Sequence, residues 1–284
     1  MLELEDVPEL HDPILIAAFE GWNDAGEAAT SAVAHLCEIW EAEPVAALDP
    51  EEYYDFQVNR PRVVTEDSRR RVVWPTTRVL LATGTSLGRD VLLVQGIEPS
   101  TRWGAFTAEL IEFARELGVG TVITLGALLA DVPHTRPIPV TATSDDTEVV
   151  RRFKVEQSRY EGPTGIVGVL SDAATRAGLT SLSCWAAVPH YAGGPPSPKA
   201  TLGLLSKVES LFNVTIPLGD LRESAQAWER GVNELAESDE EVAEYVQSLE
   251  EATDTADLPE ASGDAIAREF ERYLRRRGDE QPPP

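Results

Sequence analysis

The chain is short of the residues that brace small secreted domains or bind soft metals, with two cysteines, one methionine and four histidines in 284 residues. Cys37 falls in a helical pattern and Cys184 in an apolar strand pattern, so nothing places them as a pair and both read as buried thiols. Long hydrophobic runs are missing too. The two longest, Ile14 to Phe19 and Val119 to Ala130, are too short to span a bilayer, and the second is broken by Thr and Gly, so no membrane span is expected. The start, Met1-Leu2-Glu3-Leu4-Glu5-Asp6, lacks the basic-then-apolar order of an export signal, which points to the cytoplasm. Lysine is nearly absent: Lys154, Lys199 and Lys207 are the three, and 24 basic residues face 49 acidic ones, a formal charge of −25. A field of that sign repels phosphate backbones and anionic lipid, so neither nucleic acid nor membrane is an expected partner. The acid surplus itself reads as a solvated surface.

What is present is a core-forming pattern. With 42% apolar residues, one large domain of this size buries roughly three quarters of its unfolded surface and needs neither disulfide nor metal. β-rich runs alternate with amphipathic helical patterns over residues 1–216, the order that builds a three-layer α/β/α sandwich around a mixed, mostly parallel sheet. Strands are expected at Pro13 to Phe19, Arg71 to Trp74, Val79 to Thr83, Val91 to Gln95, Val119 to Leu129, Gly165 to Leu170 and Ser181 to Val188. Gly84 to Asp90 reads as a hairpin turn, which makes that part of the sheet antiparallel. Helices are expected over Asp24 to Trp40, from Thr101 to Leu117 on the stripe Trp103, Phe106, Leu110, Phe113 and Leu117, over Asp146 to Gln157, and over Ser197 to Phe212 with proline at its first position.

Composition changes after Pro217. No basic residue occurs from Gly231 to Ala267, while twelve acidic ones do. Trp228, Val232, Leu235, Val242 and Tyr245 recur at helical spacing, so residues 217–278 read as an acidic helical C-terminal extension, beginning with one long helix that has one sticky and one charged face. That extension includes a second short helix over Asp264 to Arg277, and 279–284 reads as a disordered tail. The sticky face can fold back on its own domain, the commoner arrangement, or meet another subunit; in the second case those five residues are the contact candidates.

Ligands of open α/β sheets sit beyond the carboxyl ends of parallel strands. The residues expected there are Glu20, Asn23, Asp24, Glu98, Ser100, Asp131, His134 and His190, which form the candidate ligand pocket. Val-Pro-His recurs at two strand ends, and His134 and His190 with Glu20, Asp24 or Asp131 would make a mixed-ligand metal site. Histidines so placed more often hydrogen-bond a neighbouring loop, so no metal and no cofactor are assigned. Arg60, Arg102 and Arg136 are candidate anion contacts, although surface ion pairing is the commoner use of arginine in so acidic a chain. No Gly-x-x-x-x-Gly-Lys loop or His-Glu-x-x-His helix occurs, and no Gly-x-Ser-x-Gly elbow joins a strand to a helix. Gly84-Thr85-Ser86-Leu87-Gly88-Arg89 lies between two strand runs and reads as a turn. No catalytic residue is assigned.

Several separated stretches carry a resemblance: Gly21-Trp22-Asn23-Asp24-Ala25-Gly26, Gly96-Ile97-Glu98-Pro99-Ser100 with Trp103, Gly126 to Pro137, and Ala187-Val188-Pro189-His190-Tyr191 followed by Pro195-Pro196-Ser197-Pro198-Lys199. Together, over about Pro13 to Leu218, the chain resembles the proteasome assembly chaperone family in its bacterial, actinobacterial-type branch. The resemblance implies a sandwich similar to nucleoside-phosphorylase-like folds, self-association for which a trimer is one candidate, and protein binding to proteasome subunits without catalysis. The alternative is a small-ligand-binding protein, or a hydrolase or phosphorylase-like enzyme, with its site at the strand ends. Relatives that dock on the proteasome carry a C-terminal tail ending hydrophobic, Tyr, any residue. Here the nearest match, Arg272-Tyr273-Leu274, is internal, so docking by such a tail is not expected.

Overall fold

The structure, a computed structural model, describes residues 9–66, 68–194 and 196–255. Among the described residues, ten strands and eight α-helices follow one another as β1 (Ile14–Glu20), α1 (Ala28–Ile39), β2 (Glu43–Ala47), α2 (Pro50–Tyr53), β3 (Arg62–Glu66), β4 (Arg69–Val73), β5 (Arg78–Ala82), β6 (Val91–Ile97), α3 (Trp103–Glu116), β7 (Thr121–Ala130), β8 (Val140–Ser144), α4 (Thr147–Phe153), β9 (Glu156–Gln157), α5 (Ile166–Arg176), β10 (Thr180–Pro189), α6 (Pro198–Phe212), α7 (Leu221–Ser238) and α8 (Glu240–Thr255). Eight strands form one sheet in the order β2-β5-β6-β1-β7-β10-β8-β9. β6, β1, β7 and β10 run parallel in its middle, and antiparallel pairings flank them on both sides.

Alternation along the strands sends side chains to two opposite layers. Ile14, Ile16 and Ala18 of β1 pack with Ala32 and Val33 of α1 and Leu204 and Val208 of α6. Leu15, Ala17 and Phe19 pack with Phe106 and Leu110 of α3 and Ile166 and Leu170 of α5. The strands of the middle are therefore buried on both faces, which is why they read as continuous apolar runs. Cys184 of β10 is buried and Cys37 of α1 half-buried, and burial raises their thiols to about 12 and about 11. No helix among the described residues is long and apolar enough to cross a membrane.

Four expectations need correction. Gly165 to Leu170 is not a strand but the start of α5, because Ile166, Val167, Leu170 and Ala174 form a helical face against the sheet. The helix expected over Asp146 to Gln157 stops at Phe153, where Lys154 turns left-handed at φ 54°, and Glu156–Gln157 then pairs with β8. Arg71 to Trp74 does not enter the main sheet; β4 pairs with β3 in a separate two-stranded hairpin. The C-terminal stripe is not one long helix but two, α7 and α8, broken at Asp239, whose backbone is extended. The short helix expected over Asp264 to Arg277 and the tail after 279 lie outside the described residues.

Candidate functional site

The carboxyl ends of β1, β6, β7 and β10 gather the expected polar residues, but into two separate clusters. The first lies where β1 and β6 end. Glu98 follows β6, and its N–H donates to the Glu20 carbonyl at 2.9 Å. Its carboxylate Oε1 accepts from Asn23 Nδ2 at 2.8 Å and from the Ile166 N–H at 2.8 Å, so a residue from one strand end caps the first turn of α5. A Cβ on Gly165 would lie 2.6 Å from Asn23 Nδ2 and 2.7 Å from Glu98 Oε1, so this turn needs glycine for space rather than for backbone angle. Asn23 is buried, its carbonyl accepts from the Ala127 N–H at 2.8 Å, and its Oδ1 has no partner among the described residues.

The other residues expected there serve nearby structure. Asp24 accepts from the Ala29 N–H at 2.7 Å and from the Thr30 N–H at 3.3 Å and hydroxyl, which ties down the start of α1. Desolvation raises its pKa against those hydrogen bonds. Ser100 is exposed, and its Oγ accepts from the Asp55 N–H at 3.1 Å and Asn59 Nδ2 at 3.2 Å, bracing the loop after α2. The Glu20 side chain is exposed.

The second cluster lies where β7 and β10 end, and α7 and α8 close it. His134 is buried with both ring nitrogens engaged: Nδ1 lies 2.8 Å from Tyr191 Oη and Nε2 lies 2.9 Å from Asn233 Oδ1 of α7. Asn233 Oδ1 can only accept, so Nε2 carries the proton; in the neutral ring Nδ1 then accepts the Tyr191 hydroxyl proton, and Tyr191 Oη in turn accepts from the His134 N–H at 2.7 Å. Burial lowers the His134 pKa and raises that of Tyr191 to about 12, which fits that assignment. Lys199 bridges the His134 carbonyl and Glu229 of α7. His190 stacks edge-on with Tyr191 and Tyr245, and its Nδ1 lies 3.4 Å from Asp131 Oδ1, which accepts from Tyr245 Oη at 3.1 Å. Arg136 makes a two-pronged contact with Asp254 at 3.0 and 2.8 Å and reaches Glu250 at 3.4 Å.

His134 and His190 thus flank one tyrosine, while Glu20, Asp24 and Glu98 belong elsewhere. Among the described residues no group of three or more His, Cys, Asp or Glu is arranged to hold a metal. Arg102 pairs with Glu52 and lies over the Tyr53 ring, and Arg60 is exposed beside the β3–β4 hairpin. Gly84 to Gly88 has the spelling Gly-x-Ser-x-Gly, but it forms the β5–β6 turn with no helix after it, and no hydrogen bond among the described residues joins Ser86 to a base. Of the arm residues expected to touch a partner, Val232 is buried and Trp228, Val242 and Tyr245 are half-buried, with Trp228 edge-on to His134 and Tyr245 edge-on to His190 and Tyr191. Leu235 is 51% exposed.

A cavity of about 730 Å³ lies on the α5 side of the sheet, a feature outside the expected residues. Ser183 faces Thr143 and Trp185 faces Thr141 across the β10–β8 ladder, and all four line it with Trp22 and Tyr160. The opposite face of the same strands carries Cys184, Ala186 and Ala142, all apolar. Ser183 Oγ accepts from Trp185 Nε1 at 3.0 Å and Thr124 Oγ1 at 3.1 Å. The Trp185 ring lies over Gly126, where a Cβ would come within 2.8 Å of it. The available signal was the alternation Thr-Ala-Thr and Ser-Cys-Trp, in which one face of two neighbouring strands is polar.

Residues 18–236 match the family model described as the PAC2 family. No curated protein matches the chain. A Streptomyces avermitilis PAC2 family protein is 56% identical, superposes with a TM-score of 0.78, and is matched over 83% of this chain and 100% of its own. A Mycobacterium tuberculosis protein named a proteasome-assembly chaperone homologue is 49% identical, with a TM-score of 0.74 over 82% of this chain and 99% of its own. The Pyrococcus furiosus protein PbaB, named an archaeal proteasome activator, is 19% identical with a TM-score of 0.66 over 83% of this chain and 98% of its own, a likeness of fold.

Proposed function

Because the chain belongs to the PAC2 family, we propose that it is a non-enzymatic assembly factor that binds proteasome subunits in the cytoplasm and works as a homo-oligomer. The observation that carries this reading is the 49% identity to the mycobacterial protein named a proteasome-assembly chaperone homologue. The strand-end chemistry supports it: Glu98, Asp24 and His134 are held in hydrogen bonds that cap helices and fasten loops, and His134 is neutral and enclosed. On this reading residues 1–216 are the core and 217–278 an arm held against it, with Leu235 free for a partner. Full-length chain immobilised on a sensor and exposed to purified actinobacterial proteasome α-subunits is expected to give saturable binding. No response at the highest soluble concentration would remove proteasome subunits as partners.

A second reading, a small-ligand binder or phosphorylase-like enzyme, is favoured by one observation, the cavity of about 730 Å³ under β8 and β10, a size suited to a small organic molecule. A thermal-shift panel of nucleosides and sugar phosphates tests it. A ligand that raises the melting temperature of the wild type but not of Trp185→Ala supports this reading, and a flat panel discards it.

A further inference from the structure

Among the described residues, four of the five large apolar side chains that stand most exposed lie on one short segment: Val58 at 73%, Val63 at 58%, Val72 at 51% and Trp74 at 45%. The fifth, Leu235 at 51%, lies on α7. The first four belong to the β3–β4 hairpin and its approaches, where Val63 and Val72 sit directly opposite each other and Trp74 follows two residues on, ring to ring with Phe56 at 4.9 Å. Among the described strands and helices, β3 and β4 pack extensively only against each other. Two isolated strands are marginal in water unless something covers a face.

Charge separates the same two surfaces. The hairpin segment holds Arg60, Arg62, Arg69, Arg70 and Arg71 against Glu66 and Asp67 in a chain whose formal charge is −25. Among the described residues only Arg71 of these five has an ion pair, to Glu66 at 2.6 Å. Leu235 lies in a stretch of the opposite sign: Glu234, Glu237, Glu240, Glu241 and Glu244 are exposed along α7 and α8, and no basic residue occurs there.

We propose that the arginine-rich β3–β4 hairpin of one copy docks on the acidic α7–α8 face of a second copy, with Trp74 and Val72 meeting Leu235 inside a ring of ion pairs. This deepens, and rests on, the homo-oligomer part of the function proposed above. One chain supplies both halves of a complementary pair, apolar centre and charged rim alike, which is the composition of an interface. The two surfaces differ, so the contact is head-to-tail, and a discrete particle requires the copies to close into a ring.

Sedimentation velocity on the full chain tests this at low and high salt. The wild type should give one closed species that loosens as salt rises. Replacing Arg69, Arg70 and Arg71 by Glu places like charges against the arm and should weaken association by about a hundredfold or more. Trp74→Ala with Val72→Ser should do the same without changing the charge, and Glu234→Arg with Glu237→Arg should repeat the loss from the other side. Combining the two charge reversals in one chain should restore the oligomer, a result that misfolding cannot produce. A wild-type oligomer that all these variants leave intact overturns the hairpin–arm contact while self-association stands. A wild type that is monomeric at every concentration overturns both.

Discussion

The two polar clusters at the carboxyl end of the sheet are built in opposite ways. Around Glu98 every partner comes from the core: Asn23 after β1, the Ile166 N–H at the start of α5, and a glycine at 165 that leaves room for both. Around His134 the last partners come from the arm, with Asn233 and Glu229 on α7 and Glu250 and Asp254 on α8. A cluster made within the core can loosen only if the core does. One closed by α7 and α8 is expected to open while the sheet stays intact, because each of its links to those helices is a side-chain contact at a helix surface.

Three substitutions sharpen that contrast. The largest effect is expected from Gly165→Ala, which drives a Cβ into Asn23 and Glu98 where neither can retreat without giving up the α5 cap. A loss of about 3 kcal/mol in denaturant unfolding is expected. A loss within error would mean the turn relaxes freely.

A smaller effect, confined to acid, comes from His134. Burial holds its folded pKa below the ordinary value of 6.5, so the unfolded chain binds the proton more readily. The stabilisation from keeping the ring neutral is therefore full above that ordinary value and is lost as pH falls through it toward the lower folded value. The slope is at most about 1.4 kcal/mol per pH unit. His134→Gln should flatten this part of the stability profile relative to wild type, and matching slopes in the two proteins would contradict an enclosed ring.

The smallest effect belongs to Arg136→Ala, since the ion pairs it removes are partly exposed and screened by solvent. The melting temperature should hold while amide exchange over 245–255 speeds up. Unchanged exchange would place the grip on α8 elsewhere, in Val246 and Leu249.

Much of this architecture could be read from residues alone, for physical reasons that also explain the misses. β1, β7, β10, α1, α3 and α6 carry long apolar patterns of one period, buried on the faces those periods predict. Gly165-Ile-Val-Gly-Val-Leu has a strand's β-branched content, and only its continuation to Ala174 together with a cap from distant Glu98 makes it a helix. β8 is hard to read locally because Val-Thr-Ala-Thr-Ser is half polar, its threonines facing a cavity that no local pattern announces. The strand-end residues were identifiable as a set from topology. Their division between Glu98 and His134 depends on Asn233, 99 positions away from His134, which no spacing rule reaches.

Cys184 supplies a clock. Its strand, β10, lies between β7 and β8, its side chain is buried in the apolar layer that α1 and α6 cover, and with its thiol raised to about 12 it has almost no thiolate at neutral pH. An alkylating reagent can reach it only after the helical layer leaves the sheet, so its labelling rate is expected to count large-scale openings of the domain. Cys37, half-buried near the end of α1, reports the fraying of that helix alone. Two thiols of unlike depth therefore let mass spectrometry time local and global unfolding in the same unmodified protein.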